Sequence, residues 1–309
     1  MKRVVITGVT GAIGRALVRR CIENGYEVLC VVHRASKRAA ELQNQQHCKV
    51  LFLDLAEYAT ALPEMERQGI PLEKYDAFFH LAWMAPFGEQ RNNLSLQLEN
   101  VAASLAAVQL AKDFGCTTFV GTGSQAEYGR TNVPLSPETP TFPETGYGIA
   151  KLCAGQMTRL ACEQLGIKHI WMRVLSVYGP HDREQTLIST AITKMLQSED
   201  TTFSPCDQLW DYIYADDAAE LIMRAAEKGK HGKVYMVGSG EAQPLKDFLF
   251  TIALETGYEK QLGFGKLDYN DKQVMYLKAD MESTQKDLKW FPKTSFQEGI
   301  RRTILWKQS

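Results

Sequence analysis

The sequence lacks the features of a membrane-spanning or nucleic-acid-binding protein. No apolar run in its 309 residues approaches the length of about twenty residues that crosses a bilayer. The 35 lysines and arginines are balanced by 36 aspartates and glutamates, which leaves a formal net charge of −1. This balance provides no basic surface for nucleic acid or an anionic membrane. We therefore expect no role for nucleic acid or a membrane.

Cysteine and histidine patterns typical of metal sites are also missing. The seven cysteines contain no Cys-x-x-Cys pair, and no histidine or cysteine is suitably spaced from His80 to complete a metal site. Several cysteines fall within apolar patterns, which is typical of free thiols in a reducing compartment. A strand pattern starts almost at Met1, with no signal peptide before it. The sequence therefore predicts a cytoplasmic protein without a bound metal.

Internal repeats and low-complexity tracts are absent, and strand patterns instead alternate with helix patterns. The strand patterns are short apolar runs rich in β-branched residues, and the helix patterns carry apolar residues at helical spacing. This alternation predicts an α/β fold, a doubly wound parallel sheet of the Rossmann type with right-handed crossovers. The predicted strands are residues 2–6, 27–32, 50–53, 77–81 and 117–120.

The first strand leads into a glycine turn, Thr7-Gly8-Val9-Thr10-Gly11-Ala12-Ile13-Gly14, which is followed by a helix. Gly8 permits the turn, Gly11 lets the backbone approach a pyrophosphate, and Gly14 lets the helix pack against the strand. The N-terminus of such a helix favours an anion. The turn therefore predicts a dinucleotide site, and the alternative is a glycine-rich turn that binds nothing.

The end of the second strand indicates which dinucleotide binds. NAD-selective sites carry an acid about twenty residues past the glycines, where it bonds the adenosine ribose. This chain instead has Val32-His33-Arg34, followed by Lys37 and Arg38. We expect Arg34 to clamp the 2′-phosphate of NADP, with His33, Lys37 or Arg38 assisting. The alternative is a solvated basic loop, and NAD is the less favoured cofactor.

A second set of candidate residues follows the fifth strand. Ser124 lies after that strand, and Tyr147 and Lys151 open a helix that comes after a proline-containing loop. Residues four apart share one helix face, so the phenol and the ammonium can point into one cleft. A lysine cation favours the phenolate, and a lowered pKa suits the phenol to acid–base catalysis near neutral pH. Taken alone, Tyr-x-x-x-Lys could also be a surface pair.

In this order, the motifs resemble those of the extended short-chain dehydrogenases/reductases, and more narrowly the NAD(P)-dependent epimerases/dehydratases that act on nucleotide sugars. The resemblance spans essentially the whole chain at the family's spacing. Its motifs are the glycine turn, His80-Leu81-Ala82, Asn100, Ser124 with Tyr128-Gly129, Tyr147-x-x-x-Lys151, Arg173 with Val177-Tyr178-Gly179-Pro180, and Asp211-Tyr212-Ile213-Tyr214.

The resemblance implies a role for each candidate residue. Tyr147 exchanges a proton with a sugar hydroxyl or carbonyl, Lys151 lowers its pKa and holds the nicotinamide ribose, and Ser124 bonds the same substrate oxygen. Asp54 and Leu55 contact the adenine, although on spacing alone Asp54 could equally cap the next helix. The other implied cofactor contacts are Gly8, Thr10, Gly11, Ala12, Ile13, Gly14, Leu81 and Ala82.

Departures from the family pattern narrow the chemistry. Gln125 and Ala126 stand where sugar dehydratases carry an Asp-Glu pair, which argues against a 4,6-dehydratase. Ser176 replaces an Asn and Trp210 an Arg at positions that usually contact the nucleotide sugar. A diphosphate clamp then comes from elsewhere, with Arg183 as the candidate, or the substrate is not a nucleotide sugar. The predicted substrate-binding residues are Trp83, Gln125, Ser176, Arg183 and Trp210, with packing as the alternative role for the two tryptophans.

The predicted organisation is a dinucleotide-binding domain with a smaller, discontinuous substrate-binding region of mixed α/β structure. The first comprises residues 1–179 and about 209–237, and the second about 180–208 and 238–309. By the resemblance, helices near 94–114 and 147–165 pair across a homodimer.

The function expected from these observations is that of an NADP(H)-dependent oxidoreductase acting on a nucleotide sugar. A 4-epimerase retains its cofactor through both half-reactions and usually holds NAD, so NADP selectivity favours net reduction of a 4-keto sugar. The alternatives are a nucleotide-sugar 4-epimerase, a reductase of a non-sugar carbonyl, and a non-catalytic cofactor-sensing protein.

Overall fold

Eleven strands form one large sheet and two short ones in the computed structural model, which describes residues 1–309. They are β1 (Arg3–Thr7), β2 (Glu27–Val32), β3 (Cys48–Phe52), β4 (Ala77–His80), β5 (Thr118–Ser124), β6 (Lys168–Val174), β7 (Ser176–Tyr178), β8 (Leu209–Trp210), β9 (Tyr212–Tyr214), β10 (Lys233–Val237) and β11 (Gln243–Pro244). The large sheet has the order β3-β2-β1-β4-β5-β6-β10, parallel throughout. β7 pairs with β9 and β8 with β11. This order, which reverses at β1, confirms the predicted doubly wound Rossmann-type fold.

Ten α-helices accompany the strands. They are α1 (Ala12–Glu23), α2 (Ala40–Gln43), α3 (Ala61–Arg67), α4 (Leu94–Asp113), α5 (Gly146–Leu165), α6 (Leu187–Leu196), α7 (Ala215–Lys228), α8 (Leu245–Thr256), α9 (Glu282–Leu288) and α10 (Phe296–Gln308). None of them is both long enough and apolar enough to cross a bilayer.

Both faces of the large sheet are covered, and the sequence of β1 shows why. Its side chains alternate between faces, so Val4 and Ile6 join a core with α1 and α7, whereas Val5 joins a core with α4. Strands buried on both faces are continuously apolar, as β1 and β2 are. Because helices cover both faces, the carboxyl ends of the strands are left open to the loops that follow them.

The predicted boundary of the fifth strand was wrong. Its pattern ended at Val120, but β5 continues through Gly121 and Gly123 to Ser124. Glycine usually weakens a strand, yet here a side chain at either glycine would overlap the indole ring of Trp171 on β6. The two glycines thus serve close packing between strands, and they extend β5 to the candidate residue Ser124.

A separate apolar cluster lies beyond the large sheet. Helices α6, α8 and α10 pack their buried apolar faces together, with Tyr178 of β7 and Tyr214 of β9 between them. The segments of this cluster come from both sides of β9 and α7 in the chain. It forms the wall that faces the carboxyl end of the sheet.

Gly14 and Gly11 provide a matched test of the glycine turn. An added Cβ at Gly14 would overlap the Gly8 carbonyl oxygen and Val9, whereas at Gly11 the nearest atom would be 3.8 Å away. Although alanine ordinarily favours a helix over glycine, we expect Gly14→Ala to lower the free energy of unfolding by about 1–3 kcal/mol. Gly11→Ala should leave it nearly unchanged. Chemical denaturation of both variants without cofactor checks this, and equal stability of the two would contradict the packing account.

Candidate active site

A cleft of about 1450 Å³ lies across the carboxyl ends of the large sheet. Ligands of open α/β sheets bind at this edge. The glycine turn lines one end, the start of α5 lines the middle, and the segments that follow β7 and precede α9 line the other end. The predicted site residues in its lining are Gly8, Thr10, Gly11, Ala12, Ile13, Gly14, His33, Leu55, Leu81, Ala82, Trp83, Ser124, Gln125, Tyr147, Lys151, Ser176, Arg183 and Trp210. Arg34 and Asp54 are the two predicted residues that the structure does not bring to it.

The glycine turn is joined to the end of β4 through one hydroxyl group. Thr7 Oγ1 accepts hydrogen bonds from the backbone N–H groups of Leu81 and Ala82, both at 3.1 Å. His80 Nδ1 lies 3.1 Å from the same oxygen, and its Nε2 lies 3.1 Å from Ser104 Oγ. Burial lowers the pKa of His80 to about 3, so its ring is neutral near pH 7. His80 is therefore a packed side chain with a hydrogen-bond partner at each ring nitrogen.

Arg34 is directed away from the cleft by two carboxylates. Its Nε lies 3.1 Å from Glu57 Oε2, and its Nη2 lies 3.1 Å from Glu64 Oε1. Glu64 is buried, and a buried carboxylate strongly favours a cationic partner. Asp54 accepts from the Arg34 backbone N–H at 2.9 Å and begins a 3₁₀ turn. The Arg34 guanidinium is therefore held by Glu57 and Glu64 and does not line the cleft, and its role as a phosphate clamp stays a prediction.

Arg38 lines the cleft at the place where Arg34 was expected. Its Nη1 donates to the carbonyl oxygens of Thr10, at 3.3 Å, and His181, at 3.2 Å. Ser36 and Lys37 line the same end of the cleft. The exposed cations at the end of β2 that remain free of carboxylates are thus those of Lys37 and Arg38, rather than that of Arg34.

The helix that carries Tyr147 is fixed at its first turn. Thr145 Oγ1 accepts from the Gly148 N–H at 3.1 Å, which caps the helix. Asn92 Oδ1 accepts from the Gly146 N–H at 3.0 Å and so attaches a neighbouring turn to the same end. Tyr147 follows directly, one residue into α5, with its ring half-buried at the cleft.

Ser124 is positioned by a buried carboxylate three residues later. Glu127 Oε1 accepts from the Ser124 N–H at 2.8 Å and from Trp171 Nε1 at 3.1 Å. Glu127 Oε2 accepts from Arg173 Nε at 2.6 Å. Glu127 and Arg173 are only 1% and 4% exposed, so this ion pair is shielded from water. The network fixes the backbone at Ser124, and its hydroxyl group faces the cleft.

Lys151 is buried one helical turn beyond Tyr147. Its Nζ donates to the Thr122 carbonyl oxygen at 2.7 Å and lies 3.8 Å from the centre of the Trp83 ring. Burial lowers the pKa of Lys151 to about 7. The helix spacing thus brings Tyr147 and Lys151 into one cleft, as predicted, with Trp83 as a wall of it.

Burial also raises the pKa of Tyr147, and the charges around it oppose that effect only in part. The nearby Ser124 hydroxyl group and the cations of Arg91 and Arg183 lower this pKa. Lys151 Nζ is 5.9 Å from the centre of the Tyr147 ring. Here the pKa of Tyr147 is therefore raised rather than lowered, and the expected lowering by Lys151 stays a prediction for the cofactor-bound enzyme.

The two departures from the family pattern contact each other. Trp210 Nε1 donates to Ser176 Oγ at 2.8 Å, and both residues line the cleft beside the apolar cluster of α6, α8 and α10. Gln125 lines the cleft next to Ser124. Arg183 lines the opposite wall, where its guanidinium carbon lies 5.0 Å from the centre of the Phe87 ring. No three His, Cys, Asp or Glu side chains converge in a way that could hold a metal ion.

Comparison with known protein families agrees with the geometry of a dinucleotide-binding cleft. The model of the NAD dependent epimerase/dehydratase family matches residues 4–238. The chain belongs to this family. The match covers the glycine turn, β5, α5 and β10, and it confirms the resemblance to the extended short-chain dehydrogenases/reductases and the expectation that the protein is an enzyme.

Individual relatives carry out different reactions on nucleotide sugars. The chain is 25% identical over 313 residues to the dTDP-4-dehydro-6-deoxyglucose reductase of Escherichia coli, covering 97% of this chain and 96% of the relative. It is 23% identical over 336 residues to the dTDP-glucose 4,6-dehydratase of Salmonella typhimurium, covering 98% and 92%. The crystal structure of UDP-glucose 4-epimerase from Thermotoga maritima, with UDP-glucose, superposes with a TM-score of 0.86 at 24% identity, covering 99% and 98%.

Sequence reasoning missed two residues that shape the site, Arg91 and Glu127, and it gave Arg38 only an assisting role beside Arg34. Glu127 lies three residues after Ser124, the spacing by which an acidic side chain reaches back to an N-cap backbone N–H. That spacing was the available signal for Glu127. Arg91 has no such signal, and the sequence could not rank Arg38 above Arg34, because only the folded chain shows which arginines are held by carboxylates.

The buried Lys151 predicts a specific dependence of stability on pH. The folded protein holds the pKa of Lys151 at about 7, against 10.5 for the exposed side chain. Between these values the unfolded chain binds more protons, so this group makes stability rise with pH. We expect the melting temperature of the wild type, relative to Lys151→Met, to increase by a few degrees from about pH 6.5 to about pH 9.5. Thermal melts of both proteins without cofactor measure this. A difference in melting temperature that does not change with pH would contradict the lowered pKa of Lys151.

Proposed function

We propose that the protein is an NADP(H)-dependent oxidoreductase that reduces the 4-keto group of a nucleotide sugar. The observation that carries the proposal is the convergence of the glycine turn with Ser124, Tyr147 and Lys151 in one cleft. Hydroxyl donors beside a dinucleotide site suit a reaction in which a carbonyl oxygen gains a proton. Similarity to a dTDP-4-dehydro-6-deoxyglucose reductase over nearly the whole chain supports the same reaction.

In this reaction the nicotinamide supplies the hydride, and the protein's side chains handle the proton. Tyr147 donates its phenolic proton to the carbonyl oxygen as that oxygen gains charge. The Ser124 hydroxyl donates a hydrogen bond to the same oxygen, from a backbone fixed by Glu127. Lys151 lies on the same face of α5 as Tyr147 and would hold the nicotinamide ribose of a bound cofactor. Trp83, which contacts both α5 residues, excludes water from this part of the cleft.

The cleft favours reduction over dehydration. Elimination of water from a sugar needs an acid and a base next to the catalytic hydroxyl groups, and Gln125 and Ala126 provide neither. A 4-epimerase is the second candidate, since an epimerase shares the fold at a TM-score of 0.86. A reductase oxidises one NADPH in each turnover, whereas a 4-epimerase shows no net consumption of its cofactor. The Ser176–Trp210 pair, which leaves no arginine on that wall, is the observation that favours a non-sugar carbonyl instead.

We propose NADP rather than NAD on the basis of charge. Lys37 and Arg38 line the cleft at the end of β2, and the acid that would hold an NAD ribose is absent from that position. A 2′-phosphate placed there gains charge-assisted hydrogen bonds from these two cations. For the substrate, Arg183 is the proposed clamp for the diphosphate, because Trp210 carries no charge.

Separate replacement of Arg38 and Arg34 tests the proposed preference for NADP. We expect Arg38→Gln to weaken NADPH binding by about ten- to a hundredfold, the value of a charged hydrogen bond. The same variant should bind NADH almost as well as the wild type does. Arg34→Gln should bind NADPH almost as well as the wild type, because the Arg34 guanidinium forms ion pairs with Glu57 and Glu64. Fluorescence titration with both cofactors measures this. Tighter binding of NADH than NADPH by the wild type would contradict the proposal.

Turnover of a keto sugar tests the reaction itself. The purified protein should oxidise NADPH with a 4-keto-6-deoxy sugar carried on one of the dTDP, UDP, CDP or GDP nucleotides, followed by nicotinamide absorbance. Tyr147→Phe should lower kcat by about a hundredfold or more, while NADPH still binds. Tyr26→Phe is the control, because Tyr26 bonds Glu227 outside the cleft. Full activity of Tyr147→Phe would contradict the acid–base role of Tyr147, whereas NADPH binding without turnover of any of these sugars by the wild type would favour the non-catalytic, cofactor-sensing alternative.

We further propose a homodimer formed through α4 and α5. These helices pack side by side and still expose Leu94, Leu98, Ile149 and Leu160. Exposed apolar side chains on adjacent helices suit a helical interface between two copies of the chain. The division into a dinucleotide-binding domain and a substrate-binding region is likewise a proposal, supported by the separate cluster of α6, α8 and α10. The cytoplasmic location stays a prediction.

A further inference from the structure

Arg91 lies against the ring of Tyr147, although neither the motifs nor the family pattern involve it. Its guanidinium carbon is 4.8 Å from the centre of that ring. The residue is half-buried and lines the cleft, and its Nε is buried without a hydrogen-bond partner. Burying a donor without a partner has a free-energy cost.

The charge of Arg91 is not neutralised by a carboxylate. Arg130, another arginine that lines the cleft, is by contrast paired with Glu144 at 2.8 Å. No such ion pair forms at Arg91, which leaves the Tyr147 ring as the group that its positive charge faces. A cation over an aromatic face is attracted to the ring, and it is attracted more strongly when the ring carries a negative charge.

The turn that carries Arg91 is rigidly attached to the helix that carries Tyr147. Arg91 lies in a 3₁₀ turn, Glu89–Asn92, and Asn92 Oδ1 accepts the Gly146 N–H at 3.0 Å. Gly146 has no side chain, and a Cβ there would meet Asn92 and the carbonyl oxygen of Arg91 within about 3.5 Å. The close approach thus holds the guanidinium in place over the neighbouring Tyr147.

We propose that Arg91 is a positioning residue of the site, whose guanidinium stabilises the negative charge that Tyr147 acquires when it gives up its proton. This rests on the proposed function only in that Tyr147 exchanges a proton during turnover. Arginine keeps its charge throughout the pH range of enzyme assays. Lys151 is less suited to this task, because its Nζ lies 5.9 Å from the Tyr147 ring centre and is held by the Thr122 carbonyl oxygen.

Other charged and polar groups also face Tyr147, and the test must separate their effects on its pKa from that of Arg91. The Ser124 hydroxyl group and the Arg183 charge act on the pKa of Tyr147 in the same direction as Arg91, and the Glu127 charge acts against them. Lys151 itself loses its proton with a pKa of about 7. Removing Arg91 leaves all four in place, so a change in the titration of Tyr147 reports on Arg91 alone.

The test is a titration of Tyr147 by phenolate absorbance with NADP⁺ bound. The signal of Tyr147 is the difference between each protein and the same protein with Tyr147→Phe. We expect Arg91→Gln to move the midpoint upward by about one pH unit or more, and Arg91→Lys, which keeps the charge, to restore most of it. Arg130→Gln is the matched control at a paired cleft arginine and should have no effect.

An unchanged midpoint in Arg91→Gln would overturn the proposal, as would an equal change in Arg130→Gln. Absence of any Tyr147 titration below about pH 11 in the wild type would overturn it too, since the charge would then fail to make the phenolate accessible. The pH dependence of kcat for reduction should show the same upward movement of its alkaline limb. If the absorbance midpoint moves but no keto sugar is reduced, the proposed function fails while the role of Arg91 stands.

Discussion

The buried carboxylate of Glu127 is the interaction on which the geometry of the site depends. It accepts hydrogen bonds from the Ser124 backbone, from Trp171 and from Arg173, at 2.8, 3.1 and 2.6 Å. Inside a protein an unpaired charge of this kind costs about 3–5 kcal/mol. The three donors are therefore held together, and they come from the end of β5 and from the neighbouring strand β6. The position of Ser124 follows from this arrangement.

The same network brings the phenol and the ammonium to Ser124. Trp171, one of the donors to Glu127, occupies space that the side chains of Gly123 and Gly155 would otherwise fill. Because Gly155 is on α5, the missing side chain lets this helix approach the sheet closely. Tyr147 and Lys151 lie on the first turns of α5, so close packing of the helix places them at the end of β5. The placement of Tyr147 and Lys151 beside Ser124 thus depends on the packing of Trp171 against Gly123 and Gly155.

Much of the fold, and the centre of the site, followed from local sequence patterns. The strand at residues 27–32 was predicted with the bounds that the structure has, and the four-residue spacing of Tyr147 and Lys151 put both in one cleft. The orientation of Arg34 could not be predicted, because Glu57 and Glu64 reach it only after folding. Charges that converge from distant segments, and the burial that shifts a pKa, leave no periodic signal in a sequence.

In the proposed reaction a hydride would pass from NADPH to the carbonyl carbon of a sugar, and isotope labelling follows that hydride directly. With NADPH deuterated at the transferable C4 position, a 4-keto nucleotide sugar should yield a product with one deuterium at its own C4. One NADPH should be consumed for each product molecule formed. An epimerised or dehydrated product that carries no deuterium, formed without consumption of NADPH, would contradict the account.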